Sequence, residues 1–163
     1  MTAGSAPVPP SRSHDEHFMR VALAEAAEAA SLRDVPIGAV IVYDGTIVAR
    51  GQNRREVDRD PTAHAELLAL REAARHLGGW RLSGCSVYVT LEPCPMCAGA
   101  LLLSRVDRLV YGAADPKAGA AGGIVDLFRG VRFNHTVQVT AGVCEAECRE
   151  ILQKFFATLR ASP

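Results

Sequence analysis

No stretch of this 163-residue chain approaches the roughly 20 consecutive apolar residues that a membrane-spanning helix needs, so no membrane anchor is expected. The N-terminal "MTAGSAPVPPSRSH" lacks the apolar core of a secretory signal and reads as a disordered leader over residues 1–13. Five cysteines at irregular spacing make no even disulfide framework, which points to a reduced, cytoplasmic setting. Lysine plus arginine equal aspartate plus glutamate, 18 against 18. No bulk field therefore points to nucleic acid, and any RNA-binding surface must be local. There is a single C-x-x-C, without the second pair that a structural zinc ribbon usually brings.

What is present is ordinary for a globular chain: 48% hydrophobic and 22% charged residues, in a length that suits one domain with a full core. That domain is expected over residues 14–160. From His14 to Arg33 the run "HFMRVALAEAAEAASL" is alanine-rich, with apolar residues at helical spacing, and reads as an amphipathic helix. "PIGAVIVYDGTIVARGQN" holds two β-branched runs joined by Asp44-Gly45, a strong hairpin signal. Past the polar loop "RREVDRDPT", "AHAELLALREAARHLGG" reads as a second helix, capped at Asp60-Pro61 or Thr62 and stopped at Gly78-Gly79. "CSVYVTLE" predicts a strand leading into "PCPMCAGALLLSR", a short helix with Pro95 at its first position. A strand "VDRLVYGA", the glycine-rich loop "DPKAGAAGG", a helical turn at "IVDLF", a weaker strand "HTVQVT" and a C-terminal helix "EAECREILQKFFATLR" follow. This order predicts an α/β fold with a mixed five-stranded sheet and helices on both faces.

Cys94 and Cys97, in "TLEPCPMC", admit four readings by themselves: a redox pair, half of a structural zinc site, part of a catalytic zinc site, or packing. The run "HAE" decides among them. His64 and Glu66 open the second helix, while Cys94 and Cys97 open the third, and both helices follow segments that can converge on one sheet edge. Positive helix ends favour thiolates there. One imidazole and two thiolates make three zinc ligands, the number that leaves a position open for water, whose pKa zinc lowers to roughly 7. Glu66, two residues from His64, can approach without ligating and carry protons from water to a leaving amine. Cys85 cannot close the site, since nine extended residues at ~3.3 Å each hold it over roughly 20 Å away. Cys144 and Cys148, four apart on the last helix with no third ligand near them in sequence, read as packing.

The H-x-E…P-C-x-x-C pattern with its surroundings resembles the bacterial tRNA-specific adenosine deaminases, a family of the cytidine deaminase-like superfamily. The matching segments are "DVPIGAVIV", "GQNR", "DPTAHAELLALR", "VYVTLEPCPMCAGALLLSRVDRLVYGA", "DPKAGAAGG", Asn134-His135 and "CREILQKFF", in order between Glu16 and Phe156. The resemblance implies a three-layer α/β/α cytidine deaminase-like fold and a homodimer. It implies one zinc ion (Zn2+) per subunit on His64, Cys94 and Cys97, with Glu66 as proton shuttle. The implied reaction is hydrolytic deamination of adenosine to inosine at the wobble position of a tRNA anticodon, by zinc-activated water, with the anticodon stem-loop as partner.

Weaker positions come by the same resemblance. Asn53 matches a purine-contacting asparagine, against a reading as a turn residue. Asp115 and Lys117 match a loop beside the flipped base, against a simple turn. Phe155 and Phe156 divide between core and a base-stacking role, with Phe156 the stacking candidate. His135 could meet a phosphate or be a solvated strand-edge residue. Arg54, Arg55 and Arg59 read as a solvated loop paired with Asp58 and Asp60. The end after Phe156 carries Arg160 as its one basic residue, fewer than several relatives have, which weakens the expected phosphate grip. Two rivals remain open: a guanine or other free nucleobase or nucleoside deaminase with the same ligands, and a catalytically dead scaffold subunit. Retention of Glu66 argues against the second, because a structural site needs no proton shuttle.

Overall fold

The computed structural model describes residues 10–163, so most of the expected leader lies outside the described residues. The first helix, α1 (Arg12–Ser31), starts two residues earlier than its pattern suggests, because Ser11 caps it by accepting the His14 N–H. Strands β1 (Gly38–Tyr43) and β2 (Thr46–Gln52) form the expected hairpin. Asp44 and Gly45 both take positive φ, 48° and 72°, the demand of the tight two-residue turn. Helix α2 (Ala65–Leu77), strand β3 (Cys85–Leu91), helix α3 (Pro95–Leu103), strand β4 (Arg108–Ala113), strand β5 (Gln138–Thr140) and helix α4 (Glu145–Ala161) complete the order.

The sheet runs β2-β1-β3-β4-β5. β1 pairs antiparallel with β2 and β3, whereas β3–β4 and β4–β5 are parallel. The two-residue strand period then sorts the core. Ala39, Ile41, Val87, Val89 and Leu109 turn to one face, under Ala69, Leu70 and Ala73 of α2 and Leu101 and Leu102 of α3. Val40, Val42, Tyr88 and Val110 turn to the other, under Phe18, Met19 and Ala22 of α1 and Cys148 of α4. The three-layer arrangement expected from the sequence is thus present.

Two contacts fix where helices meet strands. A methyl on Gly51 of β2 would lie 2.2 Å from the Ala65 carbonyl oxygen, so the bare backbone of β2 lets the start of α2 sit directly against it. Likewise a methyl on Gly112 of β4 would lie 2.3 Å from Cys148 Sγ. Cys148 is fully buried there, in agreement with its reading as packing.

Two local expectations give way. No helical turn forms at "IVDLF"; residues 122–136 are turns and bends with one isolated bridge, Ala121–Asp126. Asp126 Oδ1 accepts from Phe128 and Arg129 N–H, and Ala121 and Gly123 N–H go to Glu92. The donors a helix would need are taken by side chains. The cap of α2 also moves, to His64. Asp60 instead accepts from Thr62 N–H at 2.8 Å and from Thr62 Oγ1 at 2.7 Å, closing the turn in front of the helix.

Candidate active site and metal centre

β3 ends at Leu91, and Pro93 and Pro95 bracket Cys94, which becomes the N-cap of α3. Pro95 takes the first turn of α3, where a missing N–H costs nothing. His64 is the N-cap of α2, and neither His64 nor Cys94 spends its side chain on capping. Both side chains are thereby free, and both stand at positive helix ends. His64 Nδ1 lies 3.7 Å from Cys94 Sγ and 3.5 Å from Cys97 Sγ. All three ligand atoms fall within 4.8 Å of one another.

Zinc bonds of about 2.3 Å to sulfur and about 2.05 Å to nitrogen, set at tetrahedral angles, demand N···S edges of about 3.6 Å. The observed edges bracket that value, so the donor set and its spacing fit zinc. Three ligands leave the fourth tetrahedral position to water or substrate. Among the described residues no other group of three metal-binding side chains occurs. Cys85 is buried at the start of β3, as its strand position requires.

The site's charges follow from contact and burial. Cys94 is pulled down to about 4, first by a hydrogen bond from the Cys97 thiol and then by His64. Cys97, the donor in that bond, is pushed up. His64 is raised, chiefly by its hydrogen bond with Cys94. Glu66, 4% exposed on the first turn of α2, is pushed up to about 7 by burial.

The weaker candidates separate. Asn53 is buried, and its Nδ2 donates to Asp34 Oδ1 at 3.0 Å and to the Val35 carbonyl at 3.1 Å. Its Oδ1 accepts from Arg55 N–H at 3.3 Å. Arg54 N–H donates to the Ala63 carbonyl at 3.0 Å, so the Asn53 turn adjoins His64. Asp115 Oδ1 accepts from Lys117 and Ala118 N–H at 3.0 and 3.1 Å, a turn of the simple kind, with Lys117 exposed. That loop is tied to Pro93, whose carbonyl accepts from Ala120 N–H at 2.8 Å.

His135 does not join this end of the sheet. Its Nε2 meets the Val106 carbonyl at 2.7 Å, before the start of β4, whereas the ligands follow the end of the parallel strand β3. It is half-buried and, within this chain, lies at the opposite end of the parallel strands from the metal ligands. Phe155 is half-buried and Phe156 is 41% exposed, so neither fills the core. α4 buries only Cys148, which leaves both rings beside each other at its outer part. In the basic loop, Arg54 pairs with Asp58 at 2.9 Å as expected.

Besides Asp15, which pairs with Arg108 away from the metal ligands, two buried carboxylates nearer the site escaped the sequence reading. Glu92 accepts three backbone N–H groups of the loop 115–123. Asp34 accepts from Asn53 and from Val35, Glu56 and Val57 N–H. Acids at the end of an apolar strand and before Val35-Pro36 were the available signals, but neither spacing nor periodicity marks such residues as buried.

A family model of MafB19-like deaminases matches residues 13–160. A tRNA-specific adenosine deaminase of Bacillus subtilis is 51% identical over 148 residues, covering 91% of this chain and 92% of that protein. The chain belongs to the tRNA-specific adenosine deaminase family. A solved tRNA:A34 deaminase shares 48% identity at a TM-score of 0.81, covering 83% of this chain and 99% of that one. A solved guanine deaminase from Nitrosomonas europaea reaches a TM-score of 0.73 at 24% identity over 96% of this chain and 98% of its own. That likeness carries the fold alone. The expected cytidine deaminase-like architecture is therefore borne out, and the free-base alternative has the weaker support.

Proposed function

We propose that this deaminase converts adenosine to inosine at the wobble position of a tRNA anticodon. The observation that carries the reading is a three-ligand His64–Cys94–Cys97 cluster with the buried carboxylate Glu66 on the same helix start as His64, in a chain 51% identical to a tRNA-specific adenosine deaminase. His64, Cys94 and Cys97 would hold one zinc ion per subunit, which when bound supplies a Lewis acid that activates water at neutral pH. Glu66 takes a proton from the attacking water and places it on adenine N1. It then carries a second proton to the exocyclic nitrogen, so that water adds at C6 and ammonia leaves. Glu66 suits this shuttle by its position, buried on the first turn of α2 two residues from His64, where a carboxyl can accept and return protons away from bulk water.

Asn53, held through its amide nitrogen, keeps a lone pair of Oδ1 for a purine N–H. Asp115 and Lys117 sit on a loop tied to the metal turn and are read as RNA contacts beside the flipped base. Phe156, exposed on α4, is a stacking candidate. Residues 14–160 act as one deaminase domain in the cytoplasm; among the described residues no helix is long and apolar enough to cross a membrane. A second copy of the chain is the partner read for the open apolar groove of about 370 Å³ between α2 and α3, lined by Leu67, Leu70, Ala74, Trp80, Ala100 and Leu103. Trp80 and Leu103 are 56% and 61% exposed there, apolar surface that a second copy would cover.

The deciding experiment offers the zinc-loaded protein an adenosine-first anticodon stem-loop beside free guanine, adenosine and cytidine, with Glu66→Ala as the blank. Inosine in the stem-loop, absent from the blank, is the expected result. Turnover of a free base with none on RNA would overturn the reading.

A further inference from the structure

We propose that Glu92 is a positioning residue whose two side-chain oxygens lock the loop 115–123 onto the metal turn. Glu92 is 3% exposed. Its Oε2 accepts from Asp115 N–H at 2.8 Å, and its Oε1 accepts from Ala121 and Gly123 N–H at 2.9 and 2.8 Å. None of the ion pairs among the described residues involves it. Its two oxygens are met by backbone donors alone, in the manner of a nest of N–H groups.

The loop closes directly on this carboxylate. A methyl placed on Gly119 would lie 2.3 Å from the Glu92 carboxyl carbon, so only a bare backbone passes over it. Two further bonds complete the seam: Ala120 N–H to the Pro93 carbonyl and Glu92 N–H to the Ala113 carbonyl, both at 2.8 Å. Cys94 is the next residue after Pro93. The segment carrying Asp115 and Lys117 and the segment carrying a metal ligand therefore move as one body, and Glu92 supplies the three side-chain bonds of that seam.

A group that only fills space would tolerate glutamine, which has the same shape. A carboxylate serving three N–H donors would not, because an amide replaces one acceptor with a donor and leaves at least one buried N–H facing another N–H. Gly119→Ala tests the same seam from the opposite side, pressing a methyl onto an intact Glu92. The kinetic part of this proposal rests on the wobble-adenosine reading; its structural part does not.

The experiment compares zinc-loaded wild type, Glu92→Gln and Gly119→Ala. It reads zinc content, amide hydrogen exchange at Asp115, Ala121 and Gly123, and KM and kcat on the anticodon stem-loop. Expected are one zinc per chain throughout, at least about tenfold faster exchange at the three amides, and a KM rise of about tenfold that exceeds any fall in kcat. Unchanged exchange and KM in folded Glu92→Gln would overturn the proposal. So would losses that merely track lost zinc. Should Glu92→Gln not fold, Gly119→Ala decides by the same readings. A wild-type protein inactive on the stem-loop would sink the proposed function, while the exchange data would still decide the role of Glu92.

Discussion

The Asn53 amide donates to the Asp34 carboxylate at 3.0 Å with both side chains buried, so a turn residue flanking the metal site is anchored by an acid 19 positions earlier. Asp34 also accepts from Val35, Glu56 and Val57 N–H at 3.1, 2.9 and 3.1 Å. Asp34→Ala strands four donors, and the expected cost is about 3 kcal/mol, in the range for losing hydrogen bonds to a buried charge. The KM for the stem-loop should rise as well, since Asn53 loses its anchor. Urea unfolding and steady-state kinetics check both. A cost under about 1 kcal/mol with KM unchanged would show that water replaces the carboxylate.

Ligands and shuttle should part cleanly. Cys97→Ser removes one of the two thiolates in a three-ligand set whose geometry fits zinc, and metal analysis should show a large loss of bound zinc with a lower melting temperature. Chelation of the wild type should lower its melting temperature likewise, because the metal stabilises only the folded chain. Glu66→Gln should keep its zinc yet lose about 10³-fold in kcat, within the span assigned to positioned proton transfer. Retained activity in Glu66→Gln would remove the shuttle role.

Most of this site was legible because its chemistry is local in sequence. His64 lies two residues from Glu66 and Cys94 three from Cys97, each pair on one helix start, so spacing marked both pairs, and the fold brings the ligand atoms of His64, Cys94 and Cys97 within 4.8 Å of one another. The hairpin was equally plain, since Asp44-Gly45 is a demand of backbone geometry. Contacts between distant segments left no such mark. Nothing near Glu92 announces that Asp115, Ala121 and Gly123 will donate to it. The segment "IVDLF" looked helical because its apolar residues suit a helix, yet Asp126 and Glu92 had already claimed the neighbouring N–H groups. The partner of His135, the Val106 carbonyl, lies 29 residues away and was hidden for the same reason.

The groove beside Trp80 and Leu103 gives the oligomeric state a direct test. Leu103, 61% exposed on α3, should be covered by a second copy of the chain. Leu103→Glu places a charge in that contact and should halve the mass seen by light scattering at micromolar concentration. The chain itself should stay folded, since Leu103 contributes little to the core of one copy. A wild-type protein already monomeric at that concentration would dismiss the dimer.

Asp15 and Arg108 form the most deeply buried ion pair of the described residues, with side chains only 5% and 8% exposed. Arg108 Nη1 and Nη2 donate to the two Asp15 oxygens at 2.6 and 2.8 Å, and Nη2 also reaches Thr140 Oγ1 at 2.9 Å. Tyr88 donates its hydroxyl to Asp15 at 2.9 Å, while Arg108 Nε has no partner. One cluster thus joins α1 to β3, β4 and β5, yet an orphaned nitrogen shows that the pair is imperfectly compensated. Removing one partner leaves the other charge buried, so Asp15→Asn should cost about 3–5 kcal/mol in urea unfolding. Tyr88→Phe should cost only about 1 kcal/mol, the worth of one hydrogen bond. Replacing both charges at once, Asp15→Leu with Arg108→Met, should cost much less than Asp15→Asn alone, because no stranded charge remains. If the double variant proves as unstable as the single one, the cluster holds α1 on the sheet by its bonds, and the desolvation of its charges is the smaller part of the balance.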